Sequence, residues 1–239
     1  MKAWIGELFS SWQGEGIWLG CRQLFLRFSG CNLRCTYCDT ASSWERKPLA
    51  KLGREGCLPN PLGPDDLLAA LLRERLTDHH SVSFTGGEPL LWADFLAPLA
   101  RDIKSHGGHT YLETNGTLPT ALPSLLPHTD FISMDWKLPW ATGSDWGATH
   151  QEFLRLCRGK ALQVKAVCAA ATTDGEVEAM AQRVGEIDRD IPLVLQPATS
   201  PDGHLEIGWG RLAALEQLCA HFLKEVRMIP QVHKLLNLP

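Results

Sequence analysis

The stretch Cys31-Asn32-Leu33-Arg34-Cys35-Thr36-Tyr37-Cys38 carries three thiols. Thiolates this close repel one another when ionised and cross-link when oxidised, unless a cation holds them. Three sulfurs leave a tetrahedral metal one ligand short. A zinc knuckle would have to recruit a fourth ligand, such as one of the nine histidines. An iron–sulfur cluster held by three cysteines instead keeps one iron open to bind and activate something. The spacing therefore points to a reactive metal centre, with structural zinc as the plain alternative.

A second motif, Gly86-Gly87-Glu88-Pro89, lacks side chains at two positions, so its backbone can approach a ligand closely. A tight strand-to-helix turn explains it equally well when taken alone. Its position is informative. Apolar, strand-like runs are predicted at 23–28, 81–84, 109–113, 130–134, 162–167, 192–195 and 226–229, and each is followed within a few residues by a polar motif or a loop. Helical spacing is predicted from Asp65, over 92–105, and near 149–157, 174–187 and 209–222. Alternating strand and helix means parallel strands with right-handed crossovers, so the fold class is α/β, a partial (β/α) barrel of about six parallel strands in one domain over 1–239. Active sites of such barrels lie where the strands end. The cysteine loop, 85–89, 113–116, 133–137, Gln196-Pro197 and His233-Lys234 all fall there. The Gly-, Pro- and charge-rich segment 43–64 is expected to be a surface insertion.

Composition sets the outer limits. A net charge of −4 and pI near 6.1 provide no basic field for nucleic acid, so none is expected as partner. Charges or prolines interrupt every apolar run long enough to suggest a membrane span, and no leader is evident, so a cytoplasmic protein is expected. Of eight cysteines, Cys21, Cys57, Cys157, Cys168 and Cys219 are scattered and read as free or buried thiols, not a disulfide framework.

The CxxxCxxC loop followed by Gly86-Gly87-Glu88 resembles the radical S-adenosylmethionine (SAM) enzymes. That resemblance implies a four-iron, four-sulfur cluster on Cys31, Cys35 and Cys38, whose open iron chelates SAM. It also implies SAM contacts from Tyr37, Cys38, Asp39, Gly86, Gly87, Glu88, Ser133 and Lys137, with Glu113 supporting the same pocket. A narrower resemblance comes from Glu7 to Gly16 with Arg27 on the next strand, which is similar to the 7-carboxy-7-deazaguanine synthase family. It implies a reduced pterin substrate, 6-carboxy-tetrahydropterin, held by Trp12, Gln13, Gly14, Glu15, Arg27, Thr85, Gln196 and the terminal Pro239. Gln13 and Glu15 would match the amide and amino edge of the pterin, and Arg27 its carboxylate. The resemblance further implies Mg²⁺ at Thr40, a flavodoxin- or ferredoxin-type reductant, and a homodimer. An N-cap at Thr40, a loop-capping Glu15 and an ordinary strand arginine are the plain readings of the same residues.

Overall fold

A computed structural model describes residues 1–53, 56–200 and 202–238. The strands, β1 (Ile5–Trp12), β2 (Arg22–Phe28), β3 (Leu49–Leu52), β4 (Cys57–Pro59), β5 (Ser81–Gly86), β6 (Thr110–Thr114), β7 (Phe131–Asp135), β8 (Ala161–Cys168), β9 (Leu193–Pro197) and β10 (Val226–Met228), form one sheet in the order β10-β9-β8-β7-β6-β5-β2-β1-β3-β4. From β10 to β2 every neighbouring pair is parallel. Strand β1 turns back antiparallel to β2. The helices are α1 (Pro64–Arg73), α2 (Ala93–Ser105), α3 (Leu122–Leu125), α4 (Pro139–Thr142), α5 (Gly147–Leu156), α6 (Asp174–Ile187), α7 (Trp209–Ala220) and α8 (Val232–Leu236). The open (β/α) barrel expected from the alternation is the fold observed. Among the described residues, no helix is long and apolar enough to cross a membrane.

The two-residue period of the strands sorts side chains between two environments. Leu24, Leu26 and Phe28 of β2, Val82 and Phe84 of β5, Ile132 and Met134 of β7, and Val164 and Ala166 of β8 are buried in the core. There they meet Leu67 and Leu71 of α1, Phe95 and Leu99 of α2, Val177 and Met180 of α6, and Leu212 and Leu215 of α7. The alternate positions, Arg27, Thr85, Glu113, Ser133, Asp135, Lys165 and Gln196, line the concave side. Strand register sets two of these beside their neighbours: Arg27 is opposite Thr85, and Asp135 is opposite Lys165. Below them, Trp18 closes the lumen edge-on to Tyr111 at 5.2 Å, while the Ile17 amide donates to the Gln163 carboxamide at 2.6 Å.

The segment 43–64 is more integrated than a surface insertion. It supplies β3, parallel to β1, and β4, antiparallel to β3. Ala50, Leu52 and Leu62 are buried, and the Asn60 carboxamide accepts from the Ile5 amide at 3.0 Å and donates to the Ile5 carbonyl at 2.7 Å. Its polar composition concealed a short alternation in Leu49-Ala50-Lys51-Leu52, with burial at every second residue. The scattered thiols stay free: Cys57 is exposed, Cys21 half-buried, and burial pushes Cys157, Cys168 and Cys219 up to about 12, making them poor nucleophiles at neutral pH.

Candidate active site

A cleft of about 410 Å³ opens over the strand ends, and the cysteine loop forms one of its walls. Cys31, Cys35 and Cys38 all line it. Burial, with the Asp135 carboxylate and the other two cysteines adding to it, pushes the Cys35 thiol up to about 11 against the opposing pull of Lys137. The geometry separates the two metal readings. A tetrahedral zinc with Zn–S bonds of 2.3 Å needs sulfurs about 3.8 Å apart. Among the described residues, the potential ligand atoms that all lie within 4.8 Å of one another are those of Glu15, Asp39 and His233; the three cysteine sulfurs do not all lie this close together. Three thiols lining one cleft suit a four-iron cluster, which Cys31, Cys35 and Cys38 would hold with one iron left open to a ligand.

The glycine pair explains how the cleft wall closes. A Cβ on Gly87 would lie 1.9 Å from the Gly30 carbonyl oxygen, and one on Gly86, whose φ is +116°, 2.3 Å from that of Phe28. Only glycine lets the two loops meet this closely. Glu88 is placed differently from the glycines. It is fully buried, does not line the cleft, and accepts from the Leu90 amide (3.0 Å), the Thr114 hydroxyl (2.8 Å) and the Asn115 amide (2.8 Å). Asn115 in turn donates to Asn32 at 2.9 Å. Glu88 thus braces the cysteine loop through Asn115, and burial raises its carboxyl despite the three donors.

On the facing wall, Glu113 accepts from Gln13 Nε2 and from the Thr85 hydroxyl, both at 2.6 Å. This joins Glu113 to two residues expected on the pterin side. Gln13 is itself buried and nearly saturated, also donating to Gln23 at 3.2 Å and accepting from the Glu15 amide at 3.2 Å. Arg27 lines the cleft with its Nε on Glu7 at 2.9 Å and its guanidinium 5.6 Å from the Phe9 ring. Its terminal amino groups remain available to a ligand carboxylate. Trp12 stands exposed at the rim. Gln196 is buried with its Oε1 unpartnered in the cleft wall.

The floor is a chain of alternating charges. Lys137 reaches Asp135 at 2.8 Å and the Tyr37 hydroxyl at 2.9 Å. Lys165 pairs with Glu15 and lies 3.5 Å from Asp135. Burial alone would raise both carboxyls and lower both ammonium groups, but the pairing outweighs it, so Glu15 and Asp135 are held below and Lys137 and Lys165 above their ordinary values. Ser133 accepts from Gln163 at 2.7 Å beside this chain.

The tail completes the enclosure. Gln231 Nε2 donates to Glu15 at 3.0 Å and to Asp39 at 2.9 Å, with His233 3.8 Å from Glu15 and 3.7 Å from Asp39, and Lys234 3.6 Å from Asp39. Burial opposes ionisation of Asp39, but His233 and Lys234 hold it well below the carboxylate range. The two carboxylates of the Glu15–Asp39–His233 trio thus face the Lys165 and Lys234 ammonium groups and share the hydrogen bonds of the Gln231 amide. Gly14 leaves no room for a side chain, since a Cβ would lie 2.5 Å from that of His233. Thr40 begins a 3₁₀ turn over Ala41–Trp44, yet its hydroxyl makes no cap bond and stands 4.0 Å from Cys38 Sγ in the cleft wall. Pro239 lies outside the described residues. Asp135 falls inside the 133–137 motif without being singled out there, and Lys165 and Gln231 belong to none of the motifs; a lysine flanked by Val164 and Ala166 within β8 was the available signal.

An open parallel barrel with three cluster-spaced cysteines at the end of its first parallel strand defines a radical SAM protein, and the radical SAM superfamily profile matches residues 26–137. Full-length relatives narrow this. The 7-carboxy-7-deazaguanine synthase of Geobacter sulfurreducens is 38% identical over 98% of this chain and 96% of its own, and that of Methanothermobacter thermautotrophicus 35% identical over 100% and 98%. The crystal structure of QueE from Escherichia coli shares the fold, with a TM-score of 0.64 at 22% identity over 98% of this chain and 95% of that one. The chain belongs to the 7-carboxy-7-deazaguanine synthase family of radical SAM enzymes.

Proposed function

We propose that this enzyme converts 6-carboxy-5,6,7,8-tetrahydropterin to 7-carboxy-7-deazaguanine with release of ammonia, in the cytoplasm. The observation that carries the reading is a single cleft in which the three cluster cysteines face a wall of Arg27, Thr85, Glu113 and Glu15. When bound, the cluster and SAM supply the radical chemistry, Cys31, Cys35 and Cys38 being the ligands. The protein's own work is positioning and exclusion of water. Arg27, oriented by Glu7, takes the substrate carboxylate as a two-pronged partner. Glu15 and Glu113 accept from the amino and ring N–H groups of the pterin. Gln196, with an unpartnered acceptor, offers a further site for a ligand donor. Lys137 and Ser133, both lining the cleft, would hold the SAM carboxylate and ribose, and Tyr37 would pack on the adenine.

The Thr40 hydroxyl, which caps no turn, suits Mg²⁺, which favours oxygen donors and keeps water for its remaining positions. A homodimer and a small protein reductant complete the proposal. The deciding experiment incubates anaerobically reconstituted enzyme with SAM, reductant and the pterin. Deazapurine formation is expected, and its absence sinks the reading. Arg27→Ala should weaken pterin binding while the cluster and uncoupled SAM cleavage persist; loss of the cluster in that variant would remove Arg27 from the substrate side.

A further inference from the structure

Gln163 stands on β8 two residues before Lys165, on the same face of the strand, but does not line the cleft. It is buried, and both ends of its carboxamide are engaged. The Ile17 backbone amide donates to Oε1 at 2.6 Å, and Nε2 donates to the Ser133 hydroxyl at 2.7 Å. Chemistry fixes which end is which. A backbone N–H can meet only the oxygen, so the nitrogen must face Ser133. Ser133, as the acceptor of that bond, keeps its own O–H for an acceptor other than Gln163.

Ile17 belongs to the loop 13–21, which carries Gln13 and Glu15. The loop closes on itself: the Gly20 amide donates to the Gln13 carbonyl and the Gln13 amide to the Cys21 carbonyl, both at 2.8 Å. Its tip reaches into the barrel, where Trp18 lies edge-on to Tyr111 at 5.2 Å and to Phe131 at 5.7 Å. Gly16 has a φ of +69°, and a Cβ there would lie 2.0 Å from Gln163 Nε2, so the loop and the carboxamide meet without room for a side chain. One buried side chain thus touches the backbone of the loop assigned to the pterin and the hydroxyl assigned to the SAM ribose.

We propose that Gln163 is a positioning residue that sets the separation of the two ligands. Through Ile17 it fixes how deep the loop of Gln13 and Glu15 stands in the barrel; through Ser133 it fixes the hydroxyl that holds the ribose. The inference rests on the function proposed above. Hydrogen transfer between two bound ligands depends steeply on their separation, and a displacement of about 1 Å can cost on the order of 10² in rate. Lys165 gives Glu15 a second tie to β8, so loss of Gln163 frees the tip of the loop while Glu15 stays anchored.

The test uses reconstituted holoenzyme. Gln163→Leu keeps the bulk of the side chain and removes both bonds. Hydrogen exchange within 14–20, followed by mass spectrometry, should quicken at least about fivefold. Equilibrium binding to the unreduced enzyme should show SAM and pterin each held at least about fivefold more weakly, at unchanged iron and sulfide content. On reduction, 5′-deoxyadenosine released per deazapurine formed should rise, whereas a general loss of fold would lower both in step. Ser133→Ala removes one bond and should weaken SAM alone, with loop exchange within about twofold of wild type. Gln163→Glu still offers an oxygen to the Ile17 amide and should return loop exchange and pterin affinity to within about threefold of wild type.

Wild-type loop exchange or undiminished pterin affinity in Gln163→Leu overturns the proposal. So does a Ser133→Ala variant that loosens the loop as much as Gln163→Leu does, or a Gln163→Glu variant that behaves no better than Gln163→Leu. Should the leucine variant fold poorly, Gln163→Met, with a thioether too weak to hold the amide, decides by the same measures. Loop exchange and SAM affinity need no pterin. A wild-type enzyme that makes no deazapurine therefore refutes the proposed function, while these two measurements still decide the role of Gln163.

Discussion

Replacing Lys165 with methionine keeps the length of the side chain and removes its charge from the cleft floor. In the native protein the Lys165 side chain is 12% exposed, against 19% for Glu15 and 18% for Asp135, the two carboxylates it serves. Breaking a buried pair by removing one partner costs about 3–5 kcal/mol, because the other charge stays buried and uncompensated. Asp135 keeps Lys137 at 2.8 Å, and Glu15 keeps the Gln231 amide at 3.0 Å, so the low end, about 3 kcal/mol, is expected. The pH dependence distinguishes charge from packing. Burial is the largest influence on Glu15 and raises its pKa; Lys165 is the chief counterweight that turns the net shift downward. A depressed native pKa contributes stability above the unfolded value of 4.5 and loses it as pH falls through the native value. Without Lys165, burial raises the Glu15 pKa above its unfolded value, and folding then favours the protonated acid. The variant's deficit relative to wild type should therefore shrink between about pH 8 and about pH 5. Anaerobic urea unfolding followed by tryptophan fluorescence at both pH values measures it. A deficit that does not change with pH would refute the charge argument and leave only lost packing.

The other predictions concern the walls of the cleft. Gln231→Ala removes one amide from two carboxylates at 3.0 and 2.9 Å; with hydrogen bonds to charged groups each contributing about 1.5–3 kcal/mol, pterin KM should rise at least about tenfold while iron and sulfide content stays at wild-type levels. Gly87→Ala puts a methyl 1.9 Å from the Gly30 carbonyl oxygen, so the loops must part; SAM affinity should fall at least tenfold by equilibrium binding, at a stability cost of about 1–3 kcal/mol. Burial pushes the Cys35 thiol up to about 11, so the cluster-free protein holds it protonated at neutral pH. Iron loading requires the thiolate, and its rate should climb with pH through the neutral and mildly alkaline range, with proton release measurable in weakly buffered solution.

What could be read from the sequence was what depends on local pattern. The cysteine spacing, the glycine pair and the alternation of strand-like and helical runs each follow from residues close in the chain, and together they give the barrel and the end of it that reacts. Glu88 shows the first boundary. Its motif was visible, but its fully buried carboxylate turns toward Thr114 and Asn115, a direction set by the packing of β5 against β6. The polar stretch 43–64 shows a second, since four residues of alternation were enough to add β3 to the sheet edge once β1 was there to pair with it.

The charge chain of the floor marks a third boundary. Asp135 and Lys165 are cross-strand neighbours only because β7 and β8 pair in one particular register, and a slip of β8 by one residue would turn Lys165 into the helix layer and away from Asp135. Gln231 lies 216 residues from Glu15 and 192 from Asp39, a separation over which no sequence period survives. Its position nevertheless follows from the fold. Strand β10 ends at the sheet edge, α8 follows it, and the Val232 amide donates to the Gly14 carbonyl at 3.0 Å, which carries Gln231 and His233 across the cleft mouth. The Gln231 side-chain amide then ties Glu15 to Asp39, the residue that follows the last of the three cysteines. Loss of either contact frees one carboxylate, Glu15 or Asp39, while the cysteine loop keeps its own tie through Asn32 and Asn115. A variant of Gln231 should accordingly disturb substrate binding without reaching the thiolates, whereas a change at Asn32 or Asn115, whose side chains bond to each other at 2.9 Å, should reach the thiolates first.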